Sequence, residues 1–153
     1  MAVTGLTPVQ QRAIDALVAN GRLARVPVDL TKATIFMRQA QDVITDLPHL
    51  TKAQNRYNLA YDACHDVGEA VLAAHGYRTL SGPGQHETIG LFLCAVIDKP
   101  PGDQDARRFE QLRRSRNRQR YDARPVSEAE ATLAAQTAVA LLGAALARGL
   151  PSP

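Results

Sequence analysis

The chain has no tryptophan, three phenylalanines, four tyrosines, two cysteines, and three lysines against fifteen arginines. With aromatics at 5% of residues, the core must be built mainly from Ala, Leu, Val and Ile. Small side chains let helices approach closely, and Ala is the best helix former. Cys64 and Cys94 form no CxxC pair, which argues against a disulfide or zinc framework; both read as small buried apolar residues. No apolar run approaches the roughly 20 residues that span a bilayer. The longest, Ala138 to Ala147, is amphipathic and short, and no signal-peptide core stands at the N-terminus. The expectation is a cytoplasmic protein with no membrane contact, metal or organic cofactor.

What is present is globular in composition: 45% hydrophobic and 22% charged over 153 residues, expected as one domain, 1–153, burying roughly 70% of its unfolded surface. Pro and Gly divide it into helices, with no convincing alternating strand. Thr7 is a good N-cap with Pro8 behind it, and Ile14, Leu17 and Val18 share a face until Gly21. Val26-Pro27-Val28-Asp29 is a connector. A helix from about Leu30 to Asp46 is expected to bury Ile35 or Phe36, Val43, Ile44 and Leu47, and Pro48 stops it. Thr51 opens the longest helix, which runs to His75 and is capped by Gly76. Its core stripe is Tyr57, Tyr61, Cys64, Val67 or Gly68, Val71 and Leu72. Helices follow from about Gln85 to Ile97 and from about Gln104 to Asp122, the latter anchored by Phe109 and Leu112. Ser127 to Glu130 is a capping box that opens a last helix to about Arg148. The spacing predicts an all-α antiparallel bundle of five to six helices.

Charge is concentrated on the fifth of these. Between Arg107 and Arg124 stand eight arginines against Glu110 and Asp122, a net +6 in a chain whose total is +3. Such a cationic face attracts phosphates or acidic partners. Arg113, Arg116, Asn117, Arg120 and Tyr121 follow i, i+3, i+4, i+7, i+8 and so share one helix face. Arg offers a rigid donor fork, Asn can hold a ribose or backbone group, and Tyr can stack or donate. The plainer reading is a hydrated helix surface in an arginine-biased protein. Among the histidines, His86 opens a helix and could lie near the arginine helix. His65 reads as solvated surface, its i, i+4 pairing with Glu69 being too little for a metal site. His75 reads as structural beside the Gly76 cap, and His49 lies in a turn. Gly82-Pro83-Gly84 lacks the Lys and strand context of a phosphate loop. No Ser/His/Asp or Cys/His nucleophile set can be assembled.

The run Arg113-Arg114-Ser115-Arg116-Asn117-Arg118-Gln119-Arg120-Tyr121 resembles the motif helix of the HEPN superfamily (higher eukaryote and prokaryote nucleotide-binding domains), in which an Arg, often followed by Asn, precedes a His. Asn58 to Cys64, continuing through Val71 to Arg78, looks like that family's long helix and following turn. Gly82 to Glu87 looks like its glycine-plus-His lead-in to the next helix, and Gly21 to Pro27 resembles the start of a bacterial subgroup. The resemblance covers about residues 20–147, leaving 1–20 as an extra N-terminal helix.

The resemblance implies a homodimer and one of two roles. Many members are metal-independent endoribonucleases, commonly toxins of toxin–antitoxin systems, in which the His exchanges protons with the ribose 2′-OH and the Arg stabilises phosphate charge. Others are inactive or regulatory and pair with a nucleotidyltransferase partner, which in some cases modifies a tyrosine beside the motif. Here Tyr121 stands where the His is expected, four residues intervening after Arg116, and no His follows. A phenol with pKa ~10 is about 0.1% ionised at pH 7, and losing a matched acid–base group costs about 10²–10⁴-fold in rate. The expectation is therefore a module that binds RNA, a nucleotide or a nucleotidyltransferase through Arg113, Arg116, Asn117, Arg120, Tyr121 and His86, with little ribonuclease activity. An endoribonuclease using Arg116 with Tyr121 or His86 is the alternative, and a structural bundle docking an acidic protein is a third.

Overall fold

A computed structural model describes residues 2–153; Met1, counted in the expected domain, lies outside them. Helix boundaries fall where the sequence supplies or withdraws backbone partners. Helix α1 (Pro8–Ala19) opens on Thr7, whose hydroxyl accepts from Gln10 N while the Gln10 side chain accepts from Thr7 N. The pair satisfies two backbone donors near the helix start that would otherwise be bare. Helix α2 (Leu30–Asp46) is capped by the Asp29 carboxylate, which accepts from Lys32 N at 2.8 Å. A 3-10 turn at Leu47–His49, carrying Pro48, ends it. Helix α3 (Ala53–His75) stops at Gly76, which sits at φ 80°. A Cβ there would stand 2.8 Å from Val26 O, so the left-handed turn and the close neighbour both require glycine. Helices α4 (Gln85–Val96), α5 (Gly102–Tyr121) and α6 (Glu128–Ala147) complete the bundle, α6 opening on the reciprocal Ser127–Glu130 cap.

One element is absent from the sequence reading. The turn at Gly76 sends the chain directly into β2 (Tyr77–Thr79), which pairs antiparallel with β1 (Leu23–Arg25), Leu23 opposite Thr79 and Arg25 opposite Tyr77. Strands of three residues are too short for the apolar–polar alternation that marks a strand in sequence. The all-α bundle stands, with this ribbon tying the α1–α2 connector to the end of α3.

Helix α3 is the axis, packed by α2 on one side and α6 on another. Tyr57, Tyr61, Cys64, Val67, Gly68, Val71 and Leu72 are all buried, as the stripe requires. Of the expected α2 set Leu47 is buried, while the rest of the face is displaced. Ala33, Met37 and Ala40 are buried, Phe36, Val43 and Ile44 are partly covered, and Ile35 is 49% exposed. The small alanines let α2 lie close on α3, so the tightest contact falls on them and the bulkier residues flank it. Cys64 is buried and Cys94 only partly so. By length and composition α6 is long and apolar enough to cross a bilayer, longer than the run the sequence reading measured. Its stripe through Ala131, Ala134, Ala138, Leu141 and Ala145 is buried, with Leu133, Val139 and Leu146 left exposed.

Two polar ties set the helices around the site. Gln10 donates from Nε2 to Val96 O at 3.1 Å and Asp98 Oδ1 at 2.9 Å, fixing α1 to the end of α4. The buried Tyr57 hydroxyl donates to Leu112 O at 2.7 Å, fixing α5 on α3.

Candidate functional site

With Phe109 and Leu112 of α5 fully or nearly buried, helical periodicity turns Arg113, Arg116 and Asn117 toward the start of α4. They face Gly84 and His86 across a cleft of about 290 Å³ floored by Tyr61 of α3. The Arg116 guanidinium carbon lies 4.7 Å from the Tyr61 ring centroid, a cation–π geometry. Arg116 Nε is buried and has no hydrogen-bond acceptor among the described residues. No carboxylate among them pairs with Arg116 either.

The charge on α5 is smaller in effect than its sequence total. Arg107 pairs with Asp103 (3.3 Å), Arg108 with Asp105 (3.6 Å), Arg114 with Glu110 (3.3 Å) and Arg124 with Glu130 (3.0 Å). Arg113 donates to both Glu110 oxygens, at 3.0 and 2.6 Å. Gly90 of α4 leaves room for that carboxylate: a Cβ there would stand 3.0 Å from Glu110 Oε2. Asp103, Asp105 and Glu130 flank the counted stretch, so a window drawn around the arginines misses them. Arg124 holds the Glu130 carboxyl down at about 2. Among the described residues, Arg116, Arg118 and Arg120 of this stretch have no carboxylate partner.

Beneath Arg116 lies a stack of rings. Tyr61 OH is 3.1 Å from His86 Nδ1, and the two rings are parallel within 7° at 6.1 Å between centroids. His65, one turn along α3 from Tyr61, lies 4.6 Å from His86 centroid to centroid. Burial pushes the Tyr61 phenol up to about 12, so it keeps its proton and can donate to Nδ1. With Tyr61 donating, the His86 proton sits on Nε2; with Nδ1–H donating to the phenol oxygen, it sits on Nδ1. Burial lowers the pKa of His86, with Arg116 adding to the effect and Asp62 opposing it, which favours the neutral ring.

Arg120 and Tyr121 stand outside this cleft. Tyr121, the last residue of α5, is 89% exposed. The wall formed by the 82–87 turn reaches only the helical turn containing Arg113 to Asn117, and the next turn of α5 runs past it. The five residues expected on one face are thus split between three in the cleft and two in solvent, and the histidine in the cleft comes from α4. His65 corrects a second expectation: it is half-buried against His86, with Nε2 buried and unpartnered. Tyr61 is core, as read, and is also the floor of the site. The signal available for both was their i, i+4 spacing on the buried side of α3.

Burial, then the nearby His86 and Arg116 charges, hold His65 down to about 4. A depressed histidine binds more protons unfolded than folded, so its stabilising contribution is complete above about pH 6.5 and is lost as pH falls toward 4. Asp66, raised to about 6 by burial, acts with opposite sign over an overlapping range. The His65→Gln variant should therefore lose less stability than the parent between pH 6.5 and 4. Melting curves across that range check this, and parallel pH dependences would refute it.

No protein-family model, curated protein or solved structure matches the chain. Among the described residues no group of three or more His, Cys, Asp or Glu side chains could hold a metal ion.

Proposed function

We propose that the chain is a HEPN-like module that binds the phosphate of RNA or a nucleotide at the Arg116 cleft, with little or no ribonuclease chemistry. The observation that carries this reading is Arg116 itself. It is a guanidinium with no carboxylate partner, laid on the Tyr61 ring, with a buried N–H that has no acceptor and with Asn117 and a neutral His86 beside it. A phosphate oxygen entering the cleft can accept charge-assisted hydrogen bonds from the terminal N–H groups of this guanidinium. A cleft of about 290 Å³ suits a phosphate and its sugar, being at the small end of ligand sites. Arg118 and Arg120, free of carboxylate partners and exposed on the same helix, would extend the contact to neighbouring phosphates of a longer strand. A homodimer and a nucleotidyltransferase partner in a toxin–antitoxin setting belong to the same reading.

The ribonuclease reading is favoured by one observation, the presence of His86 in the cleft. The position of Tyr121 works against it: the residue that stands in the motif His position is a phenol, a poor base at pH 7, and it lies 89% exposed outside the cleft.

Fluorescence anisotropy with a labelled single-stranded RNA of ~12 nucleotides tests the proposal. Neutralising about three phosphates predicts a slope of log K against log salt of roughly −2. Absence of binding at low salt would end the binding reading. Cleavage of the RNA that disappears in His86→Ala would replace it with the ribonuclease.

A further inference from the structure

A larger cavity, of about 490 Å³, lies on a different part of the molecule, between the N-terminal segment at Thr4–Thr7, the 96–102 turn after α4 and the last turns of α6. Its volume falls within the range of small-molecule sites. The wall is mainly apolar: Val96 and Ile97 on one side, Ala140, Ala144 and Ala147 on the other. Two glycines leave the space open. A Cβ built on Gly5 or on Gly143 meets nothing within 4 Å. Gly143 lies in the interior of α6, where glycine weakens a helix relative to alanine. No packed neighbour accounts for it; Gly143 is exposed on the cavity wall.

The polar groups on the wall are unequally occupied. Asp98 accepts from Gln10 at 2.9 Å and Asp105 pairs with Arg108 at 3.6 Å, so both acids already have partners. Lys99 is exposed and, like Arg148, has no carboxylate partner among the described residues. Arg148 donates from one terminal nitrogen to Thr4 O at 3.1 Å, with His75 Nε2 at 3.4 Å; its Nε is buried, and its other terminal nitrogen makes no hydrogen bond among the described residues. A partly desolvated guanidinium with an unused terminal nitrogen beside an apolar wall is matched by a molecule with an anionic head and an apolar body.

We propose that this cavity binds a small amphipathic carboxylate, its apolar body against Val96, Ile97 and Ala144 and its carboxylate held by Arg148 and Lys99. This site is separate from the Arg116 cleft and does not depend on the reading of that cleft.

Octanoate is the probe, with octanol and octylamine as controls, followed by NMR shifts of the backbone amides of Gly102 and Gly143. Octanoate should bind saturably and shift both amides, and octanol and octylamine should bind at least about tenfold more weakly, as loss of a charge-assisted hydrogen bond implies. Gly143→Leu, whose side chain enters open space, should stay folded and lose octanoate binding. Should that variant fail to fold, Arg148→Gln and Lys99→Gln supply the test, each weakening octanoate but not octanol. Arg116→Ala should leave octanoate affinity unchanged. Equal affinity for octanoate and octanol, no shifts with octanoate, or wild-type binding by folded Gly143→Leu each overturns the proposal.

Discussion

Replacing Arg116 with alanine is expected to weaken RNA binding by about 10–100-fold, the range set by losing charge-assisted hydrogen bonds to a partly buried group, while leaving the melting temperature near that of the parent. Binding and folding separate here because Arg116 makes no ion pair and its Nε lacks an acceptor among the described residues, so its removal strands no partner among them. Its packing on Tyr61 is lost, but so is a partly desolvated charge, and these changes oppose each other. Arg116→Lys should not restore affinity, because a flexible ammonium cannot reproduce a planar fork stacked on a ring. Arg118→Ala should instead cost little affinity at low salt and make the salt slope shallower by about 0.7, as a single exposed phosphate contact on a single strand does. Unchanged RNA affinity in Arg116→Ala, measured by anisotropy on protein shown to be folded, would remove the cleft from the functional account.

The helices were legible because their signals are local. Thr7 with Pro8, Ser127 with Glu130 and Gly76 each mark a boundary within four residues of chain, and the structure places those caps where the spacing does. Arg116 and Asn117 were legible for a related reason, since their spacing fixes them to one face. What could not be read are the facts that need a second helix. Tyr121 continues the α5 face by spacing, yet whether a residue on that face meets a wall depends on how far the 82–87 turn extends. His65 looks hydrated on a helix drawn alone, between Asp62 and Asp66, and becomes half-buried once α4 brings His86 against it. The same limit applies to charge. The +6 of the arginine stretch is arithmetic over a window, and the ion pairs to Asp103, Asp105, Glu110 and Glu130 decide which three cations remain for a ligand. On α2 the bulky residues drew attention away from Ala33 and Ala40, although in a chain this poor in aromatics the alanines set the distance of closest approach.

That closeness of helices makes Gly68 a position where a small change has a large structural effect. A Cβ on Gly68 of α3 would stand 2.3 Å from Ile89 Cγ2 of α4 and 3.4 Å from Leu93 Cδ1, and both neighbours are fully buried, so neither can swing into solvent. Gly68→Val must push α4 away from α3. Overpacking of a well-filled core costs about 1–3 kcal/mol and occasionally more, which for a chain of this size lowers the melting temperature by roughly 2–12 °C. The displacement reaches the cleft, because the same approach of α3 and α4 sets the 3.1 Å contact of Tyr61 with His86 and the tilted 4.6 Å packing of His65 against His86. RNA affinity should fall together with stability, even though Gly68 touches no ligand. Ile89→Ala in the Gly68→Val background should recover part of both losses by making space, although Ile89→Ala alone costs about 2–5 kcal/mol as a cavity. The double-mutant cycle therefore has a required sign, the pair being less damaging than the sum of its members. Additive losses would mean that the two side chains do not compete for one space. A lower melting temperature with unaltered RNA affinity would mean that the approach of α3 to α4 does not govern the cleft.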